Sequence, residues 1–84
     1  MKSLSDLPNI GKELAEKLMF ANILIPDELK FIGSKKAFMR IKTIYPDEAC
    51  INMLYAFEGA IQGIRWHQLD LDTKTDLLDF YHSL

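Results

Sequence analysis

Apolar residues recur along this chain at spacings of three and four, and no run of four to eight residues alternates strictly with β-branched enrichment. That pattern predicts helices and no strand. Leu14, Ala15, Leu18 and Met19 mark a helix from Lys12 to Ala21, ended by Asn22, a residue that tolerates left-handed geometry. Pro26, with Asp27 and Glu28 behind it, opens a short helix that Gly33 closes. Ser34 is placed to cap the next helix, which carries Ala37, Phe38, Ile41 and Ile44 inward and stops before Pro46. Asp47 is placed to cap the longest helix, Glu48 to Gly63, which is apolar around much of its circumference and belongs in the middle. Asp70 or Asp72 starts a last helix with Leu71, Leu77, Leu78 and Tyr81 near one stripe, and Ser3 to Leu7 form one turn at the front. The expected fold is all-α, a compact bundle of five to six helices. Its expected core is Leu7, Ile10, Leu14, Leu18, Leu29, Phe38, Ile41, Leu54, Phe57, Ile61, Trp66 and Leu77.

Length narrows the function. Eighty-four residues make one domain, 1–84, too small to surrender packing to a deep catalytic cavity, so a binding or regulatory module is expected rather than an enzyme. With 49% hydrophobic and 26% charged residues the chain reads as a soluble globular protein. No basic segment leads into an apolar run near Met1, and the longest apolar stretch, Leu18 to Pro26, contains Asn22, so neither a secretory signal nor a membrane span is expected. The lone Cys50 fits a reducing cytoplasm and is read as a small hydrophobe on the first turns of the long helix. His67 and His82 stand near no acid or thiol at a ligand spacing. No metal or cofactor is therefore expected, and Cys50 and both histidines are expected to be dispensable.

Charge reopens one question. The net charge is −2, but residues through Lys42 carry eight bases and five acids (+3), whereas the remainder carries two bases and seven acids (−5). Between Glu28 and Asp47 lie Lys30, Lys35, Lys36, Arg40 and Lys42 with no acid among them. Leu7-Pro8-Asn9-Ile10-Gly11-Lys12 has the form of a helix-hairpin-helix, or SAM-like, turn, in which free amides at a helix start hold a phosphate. Asn9, Gly11 and Lys12 are its candidate residues, with Lys17 a further charge, although Asn9 stands where such hairpins usually carry a glycine. Ile32-Gly33 repeats Ile10-Gly11 at an offset of 22, and Gly33, Ser34, Lys35, Lys36 and Arg40 form the second candidate surface. DNA contact there would be weak and sequence-tolerant, no tighter than about 1–100 μM. Other features suit structure or protein contact: Ala56, Gly59, Ala60 and Gly63 form a small-residue ridge that packs helices or pairs two copies, Glu58 reaches the surface or Arg65, and Trp66 anchors the last helix.

Leu7-Pro8-Asn9-Ile10-Gly11, then Leu18, Asn22-Ile23, Glu28-Leu29, Ile32-Gly33, Ala37-Phe38 and the block from Leu54 through Glu58-Gly59-Ala60 to Gly63-Ile64-Arg65-Trp66 and Leu69, resemble the C-terminal domain of the TfoX/Sxy competence-regulator family. The resemblance covers nearly the whole chain. It implies a helical, non-catalytic bacterial domain with helix-hairpin-helix character, linked to regulating DNA-uptake genes. Family members commonly carry a separate N-terminal domain, and nothing precedes Met1 here, so full activity is expected to need a partner supplying it. The direct partner is expected to be DNA phosphate, a transcription regulator, or a second copy of the chain.

Overall fold

The structure, a computed structural model, describes residues 2–84. Four helices, α1 (Lys12–Phe20), α2 (Pro26–Ile44), α3 (Ile51–Gln62) and α4 (Leu71–His82), are joined by short connections, with single 3₁₀ turns at Leu4–Asp6 and Trp66–Gln68. No strand occurs among the described residues. Four are counted, rather than five or six, because α2 spans two helical limbs that Gly33 divides where the sequence places the break. The Gly33 φ of 86° and ψ of 164° interrupt α2 and leave two limbs in continuous succession. That backbone region is open essentially only to glycine.

Several boundaries follow their expected chemistry. Ala21 caps the C-terminal end of α1, and Asn22 turns the chain with a φ of 64°. Pro26 occupies the first turn of α2, where its missing N–H costs nothing, and Glu28 Oε1 accepts the Leu24 N–H at 3.0 Å. Gly63 ends α3 in the left-handed region, its φ 77°. Asp70 caps α4 by accepting the Thr73 N–H at 2.7 Å. Those hydrogen bonds hold the Asp70 carboxyl below the usual carboxylate range.

The start of α3 differs from expectation. Asp47 does not cap it; the helix begins at Ile51 with Cys50 at the N-cap position. The cause lies in the segment before it. The Tyr45 carbonyl accepts the N–H groups of Glu48 and Ala49 in a separate turn, and Glu48 is drawn to Lys17 at 2.9 Å. Lys17 also meets Glu13 at 3.5 Å and lies over the Tyr45 ring, so it fastens α1 to this turn. The Glu48 hydrogen bond raises its pKa. Cys50 is exposed, not buried on the first turns of α3.

The core gathers around α3. Leu18, Leu29, Phe38, Ile41, Leu54 and Phe57 are fully buried, as their helical spacing predicts. Leu7, Ile10 and Leu77 join them, whereas Leu14 and Ile61 are partly exposed and pack at the edge. Ile23 and Leu69 are buried although both lie outside helices, so periodicity passes over them. Two inward assignments are corrected. Ile44 lies at the last turn of α2 and Leu71 at the first turn of α4, and both end up exposed because helix termini overhang the packed stripe.

Candidate functional site

The first candidate turn is a latch. Asn9 has a φ of 68°, which points its side chain away from the Gly11 amides and toward the end of α3. Its Oδ1 accepts the Trp66 N–H at 3.0 Å, and its Nδ2 donates to the Ile64 carbonyl at 3.0 Å and the Ala56 carbonyl at 3.4 Å. One side chain thereby ties this turn to the Ile64 and Trp66 backbone that follows α3, with a longer bond to Ala56 inside the helix. Gly59 is what allows this approach: a Cβ there would stand 2.5 Å from Asn9 Nδ2 and 2.9 Å from the Ile64 oxygen. Three of the four members of the small-residue ridge are interior, and Gly63 at its end is exposed. Ala56, Gly59 and Ala60 are buried and offer no surface for a second copy.

Gly11 and Lys12 remain on the outside. Gly11 is the N-cap of α1 with φ −83° and ψ −179°, ordinary extended backbone, and open space surrounds its Cβ position. Lys12 is exposed and forms no ion pair among the described residues.

At the second turn the side chains pair with acids. The buried Ser34 hydroxyl donates to Glu58 Oε1 at 2.7 Å, so it bridges α2 to α3 instead of capping its own limb. Glu58 also accepts from Gln62 at 2.8 Å, and it forms no ion pair with Arg65. Lys35 Nζ lies 2.8 Å from Asp76 on α4 and over the Phe80 ring. The groove beside these residues, about 630 Å³, is lined by Gly33, Lys35 and Lys36 on one side and by Glu58, Asp72 and Asp76 on the other. A phosphate entering it would meet three carboxylates. Lys36 is exposed and unpaired among the described residues, while Arg40 Nη1 donates to the Ala21 carbonyl at 3.4 Å, capping α1. The eight candidate residues thus do not converge. Asn9 faces inward, Ser34 and Lys35 are engaged across helices, and Lys12 and Lys36 stand free on different turns.

Trp66 is half-buried and stacks on Tyr55, ring centroids 6.0 Å apart and nearly parallel. Expected in the core and as the anchor of the last helix, it instead packs half-exposed against Tyr55 of α3, outside the buried cluster. No group of three or more His, Cys, Asp or Glu side chains suited to a metal occurs among the described residues, and no helix there is long and apolar enough to cross a membrane.

One feature escapes the sequence reading. Phe31 is 90% exposed, beside a cleft of about 420 Å³ whose buried side includes Ile23 and whose margins carry Asp27, Glu28 and Arg40. The available signal was its position: Leu29 and Ile32 share the inward stripe of this limb, and Phe31 falls off it.

Comparison with known proteins adds three findings. The model of the TfoX C-terminal domain family matches residues 1–81. The DNA transformation protein TfoX1 of Aliivibrio fischeri is 29% identical over 77 residues, which are 92% of this chain but 37% of that protein. Two crystal structures from Listeria monocytogenes share the fold. An uncharacterised protein in a triclinic form has a TM-score of 0.95 and 51% identity, over 98% of this chain and 92% of that one. A protein of unknown function in a tetragonal form has a TM-score of 0.90 and 52% identity, over 94% and 96%.

Proposed function

Because this chain belongs to the TfoX C-terminal domain family, we propose that it is a non-catalytic regulatory module of the competence type, acting on DNA-uptake genes through contact with another protein such as a transcription regulator. The family match and the similarity to a DNA transformation protein of Aliivibrio support the competence-related part. The contact with a protein rather than with DNA is carried by one observation: Lys35, centre of the basic stretch, is bound to Asp76 at 2.8 Å in a groove edged by acids. An incoming phosphate would have to displace that carboxylate and tolerate its neighbours.

A second reading retains direct DNA contact. Leu7 to Gly11 lead straight into α1, and Gly11 and Lys12 are exposed at its start, which favours a weak backbone contact in the helix-hairpin-helix manner. Fluorescence anisotropy of a labelled duplex separates the two. The protein reading expects no binding tighter than about 100 μM at physiological salt, and no change on Lys12→Glu or Lys35→Glu/Lys36→Glu. Binding that weakens steeply with added salt and is abolished by those charge reversals supports DNA instead.

A further inference from the structure

We infer that this chain pairs with a second copy of itself across the Phe31 cleft, each Phe31 seated in the other copy's cleft and each Arg40 against the other copy's Asp27. This goes beyond the regulatory reading and does not depend on it.

A two-fold interface must be self-complementary: one face has to carry both a projection and the hollow that receives it, and both members of every charge pair. The α2 face meets those conditions. Phe31 is 90% exposed and borders a cleft of about 420 Å³ with Ile23 buried beneath it, so an aromatic projection and an apolar hollow are adjacent. The margins of that cleft carry opposite charges, Asp27 and Glu28 from the first turn of α2 and Arg40 from beyond the Gly33 bend.

The charges are available. Asp27 forms no ion pair or side-chain hydrogen bond among the described residues, whereas Glu28 already holds the Leu24 N–H. Arg40 gives one of its five N–H donors to Ala21 and retains the rest. No Arg40 ion pair forms among the described residues, although both signs of charge line the same cleft. Phe20 and Leu24, which flank Asn22 at this cleft in the chain, are also exposed and extend the apolar character of the segment. Seven residues line this cleft, against roughly 20–30 per partner in an interface of standard size, so the pairing is weak and concentration-dependent.

Sedimentation equilibrium between about 10 μM and about 1 mM protein, the range of weak complexes, tests the pairing. The wild type should rise from 9.7 kDa toward twice that mass. Phe31→Asp, Arg40→Glu and Asp27→Lys should each weaken association about tenfold or more. An equimolar mixture of Arg40→Glu with Asp27→Lys should recover the dimer, since each of its two-fold contacts then joins opposite charges. Circular dichroism of each variant verifies that the helices persist, and Phe31→Lys provides a second probe of the projection. A wild type that stays monomeric throughout, a dimer that survives both Phe31 substitutions, or a mixture that remains as weak as its components would overturn the inference.

Discussion

The turn at Asn9 and the bend at Gly33 begin from a similar short pattern, an isoleucine and a glycine with a lysine one or two positions on at the head of a helical segment, yet they do opposite work. At the first, the glycine is conformationally ordinary and the asparagine two positions earlier takes the left-handed backbone, sending its amide into the α3 terminus. At the second, the glycine itself takes the positive φ, and the residues after it reach across to Glu58 and Asp76. Local sequence proposes a helix start in both places. What faces it decides whether the polar groups there are free or engaged.

The sharpest way to break this comparison is at Gly59. Gly59→Ala should cost about 3 kcal/mol, because the new Cβ meets a backbone oxygen as well as Asn9. In a domain this small, that lowers Tm on the order of 10–20 °C by calorimetry. Asn9→Ala comes next, at about 2–3 kcal/mol, since it strands the Trp66 N–H and Ile64 carbonyl and leaves alanine in left-handed backbone. Asn9→Gly should recover about 1 kcal/mol of that loss by relieving the backbone alone. In the Asn9→Gly background Gly59→Ala should be milder than in the wild type, and strict additivity of the two in denaturant unfolding would contradict the latch.

A smaller contrast separates the two glycines. Gly33→Ala should cost about 1–3 kcal/mol through backbone strain alone, as open space surrounds its Cβ position. Gly11→Ala should cost only about 0.5–1 kcal/mol, the N-cap preference for glycine over alanine, with no backbone strain. Equal effects at the two sites would mean that the turns are equivalent after all. Ser34→Ala should cost about 1 kcal/mol for the lost bond to Glu58. Removing Lys35 should cost less, its pair with Asp76 being partly solvated.

The smallest effect is in acid. Asp70 has its pKa lowered by the Thr73 hydrogen bonds, so its contribution to stability is present above the ordinary carboxylate range and is lost as pH falls through the folded-state value. Asp6, lowered by its bonds to Ser3, contributes in the same direction. Thermal melts should therefore show a shallower acid loss for Asp70→Asn, whose amide caps without titrating.

Much of this fold was legible in the sequence, for identifiable reasons. Proline, asparagine and glycine at 26, 22 and 63 act through their own backbone preferences, and the three-and-four spacing of Leu18, Leu29, Phe38, Ile41, Leu54 and Phe57 is a local property. The α3 start and the role of Ser34 were not legible. Each depends on a partner distant in sequence, Lys17 for Glu48 and Glu58 for Ser34, and several cap geometries satisfy the same local pattern. The acids beside the basic stretch were hidden for a similar reason: a run without acids in sequence packs near α4, which brings Asp72 and Asp76 to it. Asn9 takes a left-handed backbone that its residue type tolerates, while the destination of its amide depends on Gly59, fifty residues away.

That the candidate basic and turn residues do not converge on one phosphate-binding face is the central claim, and amide chemical shifts of the ¹⁵N-labelled wild type titrated with duplex DNA at low and at physiological salt test it most directly. The account predicts that the Gly11, Lys12, Ser34 and Lys36 amides stay unmoved at physiological salt. Saturable shifts at those four amides that persist there, and that vanish on Lys12→Glu or Lys36→Glu, would contradict it.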